Sequence, residues 1–216
     1  MVIAVWSVKG GVGVTSVAGL LAIGVAERAD PVLLVDLCGD VPLLLGCDEH
    51  REGPGISEWA ALKEPTAAGL DRIKVNARHL VDYVPRGEAP FDTLEALTDA
   101  VRGGPTTIVD CGVVRDQDSA AAALMRSADE SLLVVRECFL TLRAVQRSPI
   151  SATGVVVIKE QHRFLGRPDV EAAARAPVVA EIAADRSITS ALDAGLVNAT
   201  LPRRLIRSMG RLVSHG

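Results

Sequence analysis

The sequence is poor in aromatic side chains and has no paired cysteines. Only 3% of its 216 residues are aromatic while 49% are hydrophobic, which predicts a core of Val, Leu, Ile and Ala. The four cysteines form no C-x-x-C pair and have no metal-ligand spacing with the histidines, which argues against a disulfide framework or a zinc finger. We expect a reduced, cytoplasmic setting and a single domain over residues 1–216.

Long apolar runs are also missing, and charge is unevenly placed. The apolar N-terminal stretch lacks a basic leading region and is broken by Lys9 and glycines, so it predicts neither a signal peptide nor a membrane span. A net charge of −4 argues against a protein that coats nucleic acid over its whole surface. No acidic residue follows Asp193, however, and the last stretch contains four arginines: Arg203, Arg204, Arg207 and Arg211. A local contact with an anionic membrane or DNA stays open.

Short β-branched runs alternate with Ala-rich helical patterns along the chain. This alternation is typical of βαβ units, and it predicts an α/β fold with a doubly wound, mostly parallel sheet and helices on both faces. The predicted strands are 2–6, 32–35, 79–84, 106–109, 131–135, 153–158 and 178–181. The predicted helices are 15–28, 93–102, 118–127 and 140–147, whereas segment 53–77 gives no clear pattern.

A glycine-rich turn joins the first strand to the first helix. Backbone N–H groups of such a loop and of the helix N-terminus converge on one point, which favours an anion such as phosphate. The predicted cofactor-binding residues are Lys9, Gly10, Gly11, Val12, Gly13, Thr15 and Ser16. The alternative is a tight turn that needs its glycines only for positive φ angles and close packing.

The loop resembles the deviant Walker A motif, K-G-G-x-G-K-[ST], of the ParA/MinD family, whose fold is P-loop NTPase-like. The resemblance implies that Lys9 reaches across a nucleotide-sandwich dimer and that Thr15 helps to hold Mg²⁺. Val14 stands where the family has its phosphate-binding lysine. Loss of such a charged contact costs roughly 1.5–3 kcal/mol, or about ten- to hundredfold in affinity. We therefore expect ATP and Mg²⁺ to bind weakly or not at all.

Two further strands resemble the other motifs of the family. Residues 32–38 resemble the Walker A′ strand, which usually ends D-x-D; Asp36 keeps the first aspartate and Cys38 replaces the second. Residues 106–112 resemble the Walker B strand and contain Asp110, although a lone aspartate at a strand end is often only a turn residue. The resemblance implies a metal site of Thr15, Asp36 and Asp110. The strand at 154–159 lacks the adenine-contacting Asn that often follows it in the family.

Within the family the chain resembles the CpaE/TadZ and septum-site-determining-like branch. This likeness rests on the altered loop, segment 36–48 and residues 194–195 and 201–204. It implies a pseudo-ATPase that acts as a dimerising scaffold or spatial organiser for pilus, secretion or cell-division machinery, with an unidentified protein partner, peripheral at the membrane or cell pole. The alternative is a slow ATP-dependent dimerisation switch, a true ATPase in which Lys9 replaces the missing lysine. A relative that handles metal clusters is disfavoured because the chain has no cysteine pair.

The C-terminal stretch 201–214 predicts a basic amphipathic helix. Its apolar residues recur at helical spacing with the arginines between them: Leu205, Ile206, Met209, Leu212 and Val213. Such a helix suits an anionic membrane surface, as in MinD proteins. The same pattern fits a closing helix that buries its apolar side on the domain and exposes its arginines. We favour this alternative because the stretch is short and lacks Trp and Phe.

Overall fold

A computed structural model describes residues 1–47, 53–160, 165–184 and 203–213. Its eight strands form one sheet in the order β3-β4-β2-β5-β1-β6-β7-β8. The neighbours pair in parallel except for β3 and β4. The strands are β1 (Val2–Ser7), β2 (Val32–Asp36), β3 (Val75–Arg78), β4 (Val81–Val84), β5 (Thr106–Val113), β6 (Glu130–Arg136), β7 (Gly154–Lys159) and β8 (Val178–Ala183).

Helices cover both faces of this sheet. In the described ranges they are α1 (Val14–Ala26), α2 (Val41–Leu45), α3 (Ile56–Ala60), α4 (Ala67–Ile73), α5 (Glu95–Ala100), α6 (Ala120–Ser127), α7 (Phe139–Arg147), α8 (Arg167–Ala174) and α9 (Arg203–Leu212). One apolar cluster joins the sheet to α1, α2 and α9, and a second joins its other face to the helices from α3 to α8. The predicted doubly wound, mostly parallel α/β fold is confirmed.

The apolar strands account for this two-sided core. Every residue of β1 and of β2 is buried, because a central parallel strand with helices on both faces has no exposed side. The chain leaves β1 through α1 towards β2, and later returns through β5 and α6 to β6 on the other side of β1. The carboxyl ends of β1, β5 and β6 therefore surround a topological switch point, where open α/β sheets bind ligands.

The prediction of one strand over 79–84 is wrong at its first two residues, and it missed a strand that precedes them. The structure has a hairpin in which β3 pairs antiparallel with β4 and the chain turns at His79 and Leu80. Leu80 has a φ of 60°, a left-handed conformation that ends a strand. The missed strand β3 is at the sheet edge and only half-buried, so its sequence lacks the apolar run that marked the others.

Helix α9 lies across α1 with its apolar side inward. Ile206, Met209 and Gly210 are buried there, whereas Arg203 and Arg207 are exposed. The backbones meet at Gly24 of α1, where an added Cβ would be 2.5 Å from the nitrogen of Gly210. The apolar side is thus occupied by the protein's own core.

Several predicted features fall outside the described residues. These are Asp48, Ala194, Gly195, Leu201, Pro202 and the last predicted helical position, Ser214. None of the described helices is both long enough and apolar enough to cross a bilayer.

Candidate functional site

The glycine-rich turn forms a backbone cradle between β1 and α1. Gly11 has a φ of 73° and Gly13, which precedes the helix, has a φ of 99°, so both occupy conformations that favour glycine. No side chain of the described residues caps the N-terminus of α1. The first N–H groups of that helix are therefore free to meet an anion.

All seven predicted cofactor-binding residues line one cleft of about 560 Å³ at the carboxyl edge of the sheet. The lining also includes Cys38, which the sequence singled out, and residues that the sequence did not predict: Asp40, Gly112, Val113, Arg136, Ile158, Ile182, Ala183 and Ala184. Most of them lie at or just beyond the carboxyl ends of their strands. Their positions in the sequence could have predicted them, because the carboxyl ends of parallel strands lie at the same edge of a sheet.

The cleft has few cationic groups. Lys9 lines it from the loop, and Arg136 lines it from the end of β6. Arg136 also pairs with Glu160, with 3.0 Å between Nη1 and Oε1. Asp40 adds a negative charge to the same wall.

Val14 begins α1 and faces both the cleft and the core. Its side chain is only 7% exposed and belongs to the apolar cluster that contains Val12 and Val17. The first turn of α1 therefore presents a hydrocarbon surface to the cleft, where the resembling motif has an ammonium group. A phosphate held here would depend on backbone N–H groups and on Lys9.

Asp36 lies at the end of β2 and is fully buried. Its Oδ1 accepts hydrogen bonds from the N–H groups of Cys38 at 2.8 Å and Gly39 at 2.7 Å, and its Oδ2 accepts one from Val41 at 3.0 Å. Burial raises the pKa of Asp36, and these three hydrogen bonds oppose the rise. The carboxylate thus holds the loop between β2 and α2.

Asp110 is the register partner of Asp36 on the neighbouring strand β5. Its Oδ1 accepts a hydrogen bond from the N–H of Gly112 at 3.1 Å, but its buried Oδ2 has no partner of normal geometry among the described residues. Burial raises the pKa of Asp110 to about 7, although the Thr15 hydroxyl and the Gly112 N–H lower it. The structure thus brings together the predicted metal ligands Thr15 and Asp110.

The thiol of Cys38 lies over the same pair of carboxylates. Its Sγ is 3.9 Å from Oδ1 of Asp110, and the thiol and one oxygen from each aspartate are all within 4.8 Å of one another. Gly112 leaves the space for this sulfur, because a Cβ there would collide with it. Burial raises the pKa of the thiol, and the negative charge of Asp110 raises it further.

Comparison with protein-family models gives a match over residues 1–109, which include the whole loop and Asp36 and end one residue before Asp110. The model describes the cellulose biosynthesis protein BcsQ. The chain belongs to the BcsQ family. The match covers just over half of the 216 residues and includes β1 through the first half of β5.

Solved structures with the same fold extend the likeness over the remaining strands of this BcsQ-family chain. The MinD cell division protein of Aquifex aeolicus is 18% identical with a TM-score of 0.77, and the match covers 100% of this chain and 97% of that protein. A ParA family ATPase from Chlorobium tepidum is also 18% identical, with a TM-score of 0.69 and coverage of 99% and 97%. McdA of Cyanothece, solved with ATP, is 14% identical, with a TM-score of 0.70 and coverage of 99% and 95%.

The predicted resemblance to the ParA/MinD family is confirmed by these matches and by the family model. No curated protein has a matching sequence. The likeness to the CpaE/TadZ branch stays a prediction.

Proposed function

We propose that this BcsQ-family chain is a ParA/MinD-like pseudo-ATPase, a dimerising spatial organiser whose phosphate cradle has lost the side chains for ATP hydrolysis. The proposal rests mainly on Val14, which places a buried apolar side chain in the first turn of α1. A lysine there would stabilise charge that develops on a transferring phosphoryl group, and a valine has no such effect.

The residues that could hold a cation in the cleft support the same proposal. Thr15 and Asp110 supply oxygen ligands of the kind that Mg²⁺ prefers, and the unpartnered oxygen of Asp110 fits a cation. Asp36 holds the loop after β2 through three backbone hydrogen bonds, which leave only its Oδ2 with a lone pair for a cation. Cys38 offers a thiol, which orients an attacking water poorly. These residues allow a cation to bind but leave hydrolysis without its usual groups.

The proposal of spatial organisation rests on the relatives. MinD of Aquifex aeolicus is a cell division protein that also occurs in a complex with MinC. We place the organiser in cellulose synthesis, for which the family is named, ahead of the pilus, secretion and cell-division machinery.

Exposed apolar side chains offer a surface for a second copy of the chain. Val113 is the last residue of β5 and is 42% exposed. Phe139 and Leu140 begin α7, beyond β6, and are 67% and 65% exposed. All three are on the carboxyl side of the sheet, as the cleft is. This surface supports a homodimer that covers the cleft.

The arginine face of α9, defined by Arg203, Arg204, Arg207 and Arg211, supports a peripheral contact with an anionic membrane or DNA. Its four arginines are exposed, while the apolar side of the helix packs on α1. Any such contact would be electrostatic and would weaken as salt increases. Co-sedimentation with anionic vesicles or with DNA tests this part, and equal pelleting at low and high salt would remove it.

The test of the main proposal is calorimetric titration of the purified chain with ATP, with ADP and with Mg²⁺. We expect little or no heat from the wild type and a gain of at least about tenfold in affinity in Val14→Lys, because the restored ammonium contacts phosphate. Val14→Met is the matched control, since it changes the size of the side chain without adding charge. Micromolar binding by the wild type would overturn the proposal.

A slow ATP-dependent dimerisation switch is the second candidate. It is favoured by Lys9, the loop cation that lines the cleft. Under this alternative the wild type binds ATP and shifts from monomer to dimer, and Lys9→Ala abolishes both effects while Val14→Lys adds little.

A further inference from the structure

The thiol cluster, defined as Asp36, Cys38 and Asp110, is the feature of the cleft that ATP chemistry leaves unexplained. Its three ligand atoms come from two adjacent strands and the turn after one of them: Asp36 ends β2, its register partner Asp110 lies within β5, and Cys38 is two residues beyond β2. These atoms lie within 4.8 Å of one another. Backbone pairing, rather than flexible loops, therefore fixes the two carboxylates.

An unsatisfied oxygen points to a missing partner in this cluster. The Thr15 hydroxyl interacts with the Asp110 carboxyl but completes no hydrogen bond of normal geometry to Oδ2, which is buried and unpartnered in the described parts of the chain. Buried polar atoms are nearly always paired, and two adjacent carboxylates repel each other when both are ionised. A cation between them would satisfy the orphan oxygen and offset the repulsion.

The donor set selects the kind of cation. Mg²⁺ takes oxygen ligands in octahedral geometry and does not favour sulfur, whereas Zn²⁺ and Co²⁺ accept thiolate and carboxylate together. We propose that Asp36, Cys38 and Asp110 form a binding site for a thiophilic divalent cation of the Zn²⁺ and Co²⁺ class. The proposal needs no nucleotide and goes beyond the pseudo-ATPase role.

The spacing suits a small tetrahedral ion after modest closure. Ligands about 2.0–2.3 Å from a shared zinc are roughly 3.3–3.8 Å apart, so the observed limit of 4.8 Å requires each pair of ligand atoms to approach by roughly 1.0–1.5 Å at most. Oδ2 of Asp36 accepts one N–H and keeps a second lone pair for a metal. Binding releases the thiol proton of Cys38 to solvent, and because Cys38 lines the cleft, water from the cleft could supply a fourth ligand.

The test is titration of the full, chelator-treated chain with Co²⁺ alone, followed by absorption. A Co²⁺–thiolate bond adds charge-transfer absorption in the near ultraviolet. We expect this band to saturate at one ion per chain, to be reversed by Zn²⁺ and to survive a large excess of Mg²⁺. Asp110→Asn should weaken binding by at least about tenfold, because it removes a charged ligand.

Two cysteine variants make the result specific. The band should be absent in Cys38→Ser. It should be retained in Cys138→Ser, because Cys138 lies at the N-terminus of α7 and outside the thiol cluster. Circular dichroism of the metal-free variants checks that both fold. Absence of the band in the wild type, or its survival in Cys38→Ser, would overturn the proposal. Neither result bears on ATP binding, which is measured separately.

Discussion

At the scale of single residues, Asp110 links the site to the stability of the fold. Its carboxyl group is buried beside Asp36, and its pKa in the folded chain is about 7, against 3.8 ordinarily. At pH values between these two, the Asp110 carboxyl group is ionised in the unfolded chain but keeps its proton in the folded chain. The free energy of unfolding therefore falls as pH rises from about 4 to about 7, since burial disfavours the charged form.

Asp110→Asn should remove this slope. In metal-free buffer at pH 8 we expect the variant to be more stable than the wild type by at least about 1 kcal/mol, or about 2–4 °C in Tm. Near pH 4 the difference should largely vanish. Thermal unfolding across this pH range measures it, and the exposed Asp99→Asn is the control. If Asp110→Asn were more stable than the wild type by the same amount at every pH, the raised pKa of Asp110 in the folded chain would be contradicted.

The sequence revealed some residues of the site and missed others for physical reasons. Val14 and Cys38 stood out because each interrupts a spaced motif. The commitment of Asp36 to its own loop was not predictable, because it depends on the turn at Gly39, whose φ is 97°. Arg136 was missed because only the assembled sheet brings the end of β6 to the cleft.

At the scale of elements, the crossing of α1 and α9 depends on two glycines in contact. A Cβ at Gly24 would be 2.5 Å from the nitrogen of Gly210 and 2.6 Å from the carbonyl oxygen of Ile206, both backbone atoms. A hydrogen bond of 2.9 Å from Arg28 to the Gly210 carbonyl adds to the contact. The helix pattern of 201–214 predicted an apolar side but could not show which surface it covers.

Gly24→Ala should therefore destabilise the chain. Alanine normally stabilises a helix interior by roughly 0.5–1 kcal/mol relative to glycine. Here we expect a loss of about 1–3 kcal/mol, because the new methyl group forces two backbones apart. Denaturant unfolding measures this loss in the free energy of unfolding. The control is Gly69→Ala in α4, where an added Cβ would be 3.3–3.4 Å from its nearest atoms, which belong to side chains. A stabilised Gly24→Ala would show that α9 does not pack closely on α1.

At the scale of the whole molecule, the sheet order follows from features that the sequence displays. Buried apolar strands that alternate with helices require a parallel sheet, and the central strands were located within a few residues. The edge hairpin of β3 and β4 was not predicted, because edge strands are less apolar.

Oligomeric state is the property of the whole molecule that separates a scaffold from a switch. If dimerisation is independent of nucleotide, light scattering should give the same mass with and without ATP and Mg²⁺. Phe139→Ser should lower that mass, because it removes an exposed apolar group from the surface that we assign to the dimer. A shift from monomer to dimer on addition of ATP would contradict the scaffold and favour the switch.

Phosphate release from ATP distinguishes a pseudo-ATPase from an active ATPase. It is measured for the wild type beside a variant that carries Val14→Lys and Cys38→Asp, the two side chains that depart from the family's motifs. If the chain is a pseudo-ATPase, the wild type should show only background release and the double variant should show release above background. Steady release by the wild type that Lys9→Ala abolishes would contradict it.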